Sequence, residues 1–315
     1  MKPILLLIII HTLLLSFHNH EINQYNKNES NLEKTLDKVE NKLKIVYDKL
    51  NISSKNIDEF ITKEYDNTIY TNSYIRFETS IEKRESNSVK IKPNIDIRIK
   101  LPKLKDKLSL TFNNNDNKIN PNYQDSNEKI NYKDDDYNVG ILYNIIKRDI
   151  NLKFRVGAKI SFNPYLYVKA EAKKKFDLNQ NNNLILEQKV KYSDKYEIDN
   201  YSSIRYNYKI NKNYLFSNFN EYYINSKIND NNLYNSFRIN HIISNDSYLN
   251  YVTSVDSNDD NSTFQTKRYG VYVSYRKYIR KWLYYDLLPN IQWKRDNDFN
   301  TNTGIKINIG IIIKK

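Results

Sequence analysis

The chain has 315 residues, with 50 Lys and Arg against 37 Asp and Glu, a formal net charge of +13 and a mean hydropathy of −0.78. A helical membrane bundle is excluded, because after the first residues no apolar run approaches the roughly 20 residues that a membrane-spanning helix needs. Cysteine is absent, which excludes disulfides and Cys-ligated metal centres, and we expect no cofactor. A β-barrel remains, since each of its strands needs only one apolar face to cross lipid.

Residues 1–20 are predicted to be a signal peptide. Met1 and Lys2 precede an apolar run from Ile4 to Leu15, which matches the charged and apolar regions of a secretory signal. The following residues, 16–20, lack a small-x-small cleavage pattern, so an uncleaved anchor is the alternative. The signal-peptide reading predicts export, with the N-terminus of the barrel protein in the periplasm.

Residues 21–70 are predicted to form a periplasmic helical segment. Its apolar positions alternate in spacings of four and three, which is typical of a coiled-coil seam of about three heptads. The predicted seam consists of Leu32, Leu36, Val39, Leu43, Val46 and Leu50. We expect either homo-oligomerisation through residues 31–52, a periplasmic spacer or plug, or an amphipathic helix packed on its own chain. A separate short helical stretch is expected over residues 53–61.

From Thr71 to the last residues the apolar period is two, and residues 71–315 are predicted to form a transmembrane antiparallel up-and-down β-barrel. In the clearest segment, Leu152, Phe154 and Val156 alternate with Lys153 and Arg155, which gives a strand one apolar and one charged face. Turn residues divide the chain into fourteen strands near 73–85, 88–101, 107–114, 138–148, 151–162, 165–176, 182–193, 200–209, 213–225, 232–243, 247–256, 266–278, 281–295 and 303–314. Bacterial barrels have even strand numbers, and twelve or sixteen strands also fit a boundary error of about two to four residues.

Loop lengths favour one orientation of this barrel. The Asp- and Asn-rich stretches 115–137, 257–263 and 296–302 all fall on the side predicted to be the cell exterior, where outer-membrane barrels carry their longer loops. Outward-facing aromatic residues are expected to form girdles at the lipid interfaces. These are Tyr206, Tyr208, Tyr269, Tyr275, Tyr285 and Trp293.

The last third resembles the closing strands of a family of uncharacterised proteobacterial outer-membrane β-barrel proteins. A Tyr-Arg strand (269–276) is followed by a Trp-Leu-aromatic strand (282–289) that ends at a proline, and then by a final strand. The resemblance covers residues 269–314 and is looser back to Tyr74. It implies a Gram-negative outer-membrane location and recognition by the barrel assembly machinery, although such barrels usually end on an aromatic residue and this chain ends in Lys314 and Lys315.

The inward parity of the strands predicts a cationic interior. Basic residues on this parity outnumber acidic ones, and an open lumen of this charge would favour anionic solutes. The predicted pore-lining residues are Lys90, Lys92, Arg98, Lys100, Lys153, Arg155, Lys159, Lys169, Lys173, Arg205, Arg238, Arg268 and Arg276. The sequence therefore predicts a passive pore, with a non-conducting structural barrel of ion-paired interior as the alternative.

The sequence gives little support to catalysis, metal binding or nucleic-acid binding, and we do not expect the protein to be an enzyme. His241 is the only histidine in the body of the chain, and Ser244 does not lie at the i, i+2 position that would place it on the same strand face. An outer-membrane hydrolase is therefore the weaker alternative. Asp134–Asp136 could attract a divalent cation but is typical of a solvated loop. Nucleic-acid binding conflicts with the predicted export.

Overall fold

The computed structural model describes residues 25–62, 73–85, 87–101, 107–114, 137–147, 149–227, 230–260 and 263–314. These contain a helix, α1 (Tyr25–Thr62), fourteen strands and a 3-10 turn (Arg295–Asn297). The chain divides into two compact units, residues 1–48 and 49–315. No helix in the described ranges is both long and apolar enough to span a membrane. The predicted signal peptide, residues 1–20, lies outside these ranges.

The fourteen predicted strands are confirmed, with boundaries that shift by up to four residues. They are β1 (Tyr74–Arg84), β2 (Asn87–Leu101), β3 (Leu108–Asn113), β4 (Tyr137–Lys147), β5 (Ile150–Ile160), β6 (Tyr165–Asp177), β7 (Asn182–Ser193), β8 (Glu197–Lys209), β9 (Tyr214–Asn225), β10 (Asp230–Ser244), β11 (Ser247–Asp260), β12 (Thr263–Arg280), β13 (Leu283–Lys294) and β14 (Thr301–Ile313).

The strands form one closed antiparallel up-and-down barrel. Each strand pairs with its neighbours in sequence, and β1 closes the sheet by pairing with β14. The closing ladder runs from Ile75 opposite Ile313 to Arg84 opposite Gly304. Closure satisfies the backbone of both terminal strands, so no edge is left to bind another chain. We call the end where β1 begins and β14 ends the near end, and the opposite end the far end.

Alternation along each strand separates a buried inner face from an exposed outer face. On β6, Tyr165, Tyr167 and Lys169 are buried, while Leu166 and Val168 between them are 67% and 49% exposed. Most outward residues on β4 to β6 and β12 to β14 are apolar. An apolar exterior and a charged interior are the arrangement that a barrel in lipid requires.

Two far-end connections are shorter than the sequence predicts. The predicted loop 257–263 is mostly strand, because β11 continues to Asp260 and β12 begins at Thr263. Cross-strand pairs such as Ser257 with Thr266 extend the ladder through these polar residues. The predicted loop 296–302 shrinks in the same way, since β14 begins at Thr301. The third predicted loop, 115–137, lies outside the described residues except for Tyr137.

Helix α1 is longer than the heptad pattern predicts. It runs without a break through residues 53–61, where a separate helical stretch was expected. Of the predicted seam, Leu36 and Leu50 are buried, Leu32 is exposed, and the other three residues are half-buried. Within the second unit, Ser54 is fully buried and its hydroxyl donates a hydrogen bond to the Lys100 carbonyl at the near end of β2. Coiled-coil pairing stays a prediction.

Two glycines accept tyrosine rings across the inner face. Gly310 of β14 pairs with Tyr284 of β13, and a Cβ at Gly310 would overlap the ring of that tyrosine. Gly157 of β5 pairs with Tyr167 of β6, and a Cβ there would lie 2.9 Å from Cζ of the ring. Each glycine thus leaves the space that its cross-strand aromatic partner fills.

Candidate functional site: the barrel interior

The strand ladder places every predicted pore-lining residue on the inner face. Direct cross-strand partners share a face, so the pairs link Arg98 to Thr111, Arg155 to Lys169, and onward around the barrel. The buried members of the set are Arg155, Lys159, Lys169, Arg238 and Arg276. Lys92, Arg98, Lys100, Lys153, Lys173, Arg205 and Arg268 are half-buried, and Lys90 is exposed. That they line an open pore stays a prediction.

Strands β5 to β7 carry the densest positive charge, which we call the basic sector. Its inward residues form two rows across the three strands, Lys153–Glu171–Lys189 and Arg155–Lys169–Lys191. Glu171 forms an ion pair with Lys153, and Lys189 lies 3.2 Å from Glu187. Basic side chains outnumber these two glutamates. The inner face of these three strands therefore carries a net positive charge, which gives it a positive field.

The far end of the basic sector gathers ammonium groups around one tyrosine. The Nζ atoms of Lys159, Lys191 and Lys195 lie 5.7, 5.5 and 5.5 Å from the ring centroid of Tyr165. These are cation–π distances. Asp199, directly opposite Lys191, already accepts hydrogen bonds of 2.7 Å each from the Tyr223 hydroxyl and the Asn225 amide.

Strands β1, β2 and β12 to β14 form a second region, the paired sector, in which opposite charges meet. Arg76 lies 2.8 Å from Asp96, which also accepts a 3.0 Å hydrogen bond from the Tyr74 hydroxyl. On the other side, Arg276 donates two hydrogen bonds to Asp286, which is fully buried. Low exposure strengthens these contacts, because the surroundings screen charge less than water does.

Tyrosine Tyr284 connects the strands of this paired sector. Its hydroxyl donates a 2.7 Å hydrogen bond to Glu78, across the closing β1–β14 pair of strands. Its ring lies 4.2 Å below the guanidinium of Arg276. Asn308 adds a 3.2 Å hydrogen bond to Asp286. One network therefore joins β1, β12, β13 and β14 at the closure of the barrel.

Sequence reasoning missed two features of this interior. It did not identify the ion pair between Arg76 and Asp96, which joins β1 to β2. It also considered tyrosines only for the lipid interfaces, whereas Tyr165 and Tyr284 are buried on the inner face. Their strand parity, which matches that of the neighbouring charges, was the signal that could have found them.

The structure gives no support to the hydrolase alternative around His241. The His241 ring stacks on Tyr214 with centroids 4.3 Å apart on the outer face. The Ser244 hydroxyl instead hydrogen-bonds to Asp246 and Ser247 in the adjacent turn, which lowers the pKa of the Asp246 carboxyl below its ordinary value. Among the residues described, no group of three or more His, Cys, Asp or Glu could hold a metal ion. Asp134–Asp136 lies outside them.

Comparison with known proteins assigns the chain to no family. No family model and no curated protein matches the chain. Among solved structures, a loop-deletion mutant of OmpT, an outer membrane protein of Vibrio cholerae, aligns at 9% identity with a TM-score of 0.47, covering 76% of this chain and 98% of that one. A KdgM porin in complex with oligogalacturonate aligns at 8% identity and a TM-score of 0.38, covering 75% and 98%. A bacterial polysaccharide outer membrane secretin aligns at 9% identity with a TM-score of 0.45, covering 78% of this chain and 99% of that one.

The architecture itself places the chain in a membrane. An antiparallel barrel that is closed, has an even number of strands, and carries charge inside and apolar residues outside is the form taken by bacterial outer-membrane proteins. The chain is an outer-membrane β-barrel.

Proposed function

We propose that this barrel is a passive pore whose interior favours anionic solutes, with its N-terminal segment in the periplasm. The observation that carries the proposal is the basic sector, where Lys153, Arg155, Lys159, Lys169, Lys173, Lys189 and Lys191 face inward against Glu171 and Glu187. Fixed charge along a pore raises the local concentration of ions of opposite sign. Membership of the family that residues 269–314 resemble, recognition by the barrel assembly machinery and oligomerisation through residues 31–52 are further proposals.

Single-channel recording in planar bilayers tests the pore. Under a KCl gradient we expect a reversal potential of the sign that chloride permeation gives. Lys169→Gln, Lys189→Gln and Lys191→Gln combined should reduce the chloride-to-potassium permeability ratio roughly threefold, because three charges leave the inner face. The matched control is Lys212→Gln, Lys277→Gln and Lys281→Gln, which removes the same charge from turns and the outer face. Cation selectivity, or an equal loss in both variants, would contradict the proposal.

A structural, non-conducting barrel is the second candidate, and the paired sector favours it. The ion pairs Arg76–Asp96 and Arg276–Asp286 are buried, and the network through Tyr284 fills part of the interior. Small barrels can fill with side chains and leave no channel. Absence of conductance from protein that is demonstrably folded would favour this function over the pore.

A further inference from the structure

The outer face of the barrel carries an amide patch at a height where lipid would be expected. It consists of Gln188 on β7, Asn200 and Ser202 on β8, Asn218 and Asn220 on β9, and Asn235 on β10. The register gives these residues outward parity, since each alternates with inward residues such as Glu187, Ser203 and Glu221. None of the six is buried: Gln188 is exposed and the other five are half-buried.

The patch lies within the apolar band rather than at its margin. Along β9 the outward order is Phe216, Asn218, Asn220 and Tyr222, so apolar rings flank the two amides on both sides. On β10, Asn235 lies between Leu233 and Phe237 in the same way. The register leads from Gln188 to Ala172 on β6 and on to Leu152 on β5, and both of these outward residues are apolar.

Internal hydrogen bonds satisfy these amides only in part. Ser202 donates to Gln188 over 2.7 Å and Gln188 donates to Asn200. In a second series of hydrogen bonds, Asn235 donates to Asn220, and Asn220 donates to Asn218 over 2.9 Å. An amide has two donors and an oxygen with two lone pairs. The amide nitrogen of Asn200 and the amide oxygen of Asn235 take no part in these two series of hydrogen bonds. Hydrocarbon offers them no hydrogen-bonding partner.

From this geometry we propose that the amide patch binds a second copy of this chain, side by side in the membrane. Uncharged amides offer donors and acceptors together, so two identical patches related by a two-fold axis can bond to each other, as an isologous contact requires. Nothing in the patch has the net charge that would select a charged partner. Aromatic pairs around it, Phe216 with Phe237 and Tyr222 with Phe264, supply the apolar contact area on which such interfaces rely.

Single cysteines test this interface cleanly, because the chain contains no cysteine of its own. Asn220→Cys or Asn235→Cys, oxidised in native outer membranes, should give a disulfide-linked dimer in most of the folded protein. The matched controls are Val156→Cys and Val168→Cys, which are exposed on the apolar outer face of β5 and β6. They should give at least about tenfold less dimer, since the β5–β6 faces of two copies would meet only in random collisions within the membrane. Equal yields at both faces, or no dimer at any position, would overturn the proposal.

A second measurement separates the patch from the heptad helix and from pore activity. Sedimentation of detergent-solubilised protein should show a dimer for the full chain and for a variant lacking residues 31–52. Asn218→Leu, Asn220→Leu and Asn235→Leu combined should give a folded monomer. Val139→Leu, Val156→Leu and Val168→Leu, on the apolar face, should leave the dimer intact. Loss of the dimer on deleting residues 31–52 alone would assign it to the helix and overturn the inference, whatever the barrel conducts.

Discussion

At the scale of single residues, the interior is organised by contacts between strands. Arg76 pairs with Asp96 directly opposite it on β2, because direct cross-strand neighbours on one face lie within reach of each other. Residue spacing along the sequence predicts which face of the strand a residue lies on, but not which residue is its cross-strand partner. The charges that face inward were therefore predictable, whereas their pairing and the Tyr284 network were not.

The Arg276–Asp286 pair offers a test at this scale. Asp286→Leu leaves the Arg276 guanidinium buried without its carboxylate, so we expect the free energy of unfolding to fall by about 3 kcal/mol. Arg276→Met combined with Asp286→Leu should recover most of that loss, because both charges are gone. Urea unfolding in lipid vesicles, followed by tryptophan fluorescence, measures the four members of the cycle. Additive losses would refute a coupled pair.

The contact of Tyr284 with Gly310 makes a second test. Gly310→Ala introduces a methyl group where the Tyr284 ring lies, and overpacking of this kind costs about 1–3 kcal/mol. Tyr284→Ala in the same chain should relieve the clash, so that Gly310→Ala costs less in that background. The comparison uses the same unfolding assay. A Gly310→Ala protein as stable as the parent would show that the ring moves aside freely.

At the scale of elements, periodicity predicts strands well and their ends poorly. Period-two alternation identified all fourteen strands, because one face must be apolar to meet lipid. It failed where strands extend beyond the apolar band. Residues 257–260 and 263–265, which are polar except for Phe264, continue the ladder without the alternation that marks the rest of the strand. Helix α1 was underestimated for a similar reason, since its apolar repeat weakens after Leu50 while the helix continues to Thr62.

The assignment of faces on the strands can be tested with lysine. Val156 is 62% exposed on the outer face of β5, and a lysine there would meet hydrocarbon, so Val156→Lys should destabilise the barrel by about 2–4 kcal/mol. Ser203→Lys places the same side chain on the inner face of β8 and should cost well under about 1 kcal/mol. Unfolding in vesicles distinguishes them. Equal costs would mean that the two faces meet similar surroundings.

At the scale of the whole molecule, closure explains how so polar a chain can reside in lipid. The β1–β14 ladder satisfies the last unpaired backbone groups, and most charged side chains of the described strands lie on the inner face. The even strand number was predictable from the segment count. The short far-end connections between β11 and β12 and between β13 and β14 were not, because Asp- and Asn-rich sequence is equally typical of loops and of strand ends beyond the membrane.

Closure also predicts behaviour in electrophoresis. Unheated protein in dodecyl sulfate should migrate faster than heated protein, since a closed barrel with most backbone groups paired resists unfolding by the detergent at room temperature. The matched sample is the same preparation after boiling. Identical mobilities before and after heating would contradict a stable barrel.

The pairing of β1 with β14 also makes the strand order circular. Tyr74 and Ile313 lie beside each other at one rim, so a brief linker could join them and the chain could be opened instead at another connection, such as residues 261–262. No strand is then first by geometry, and the ring of neighbours would be the same for every choice of break. The barrel is therefore a natural scaffold for circular permutation, in which new termini could be moved to the opposite side of the membrane.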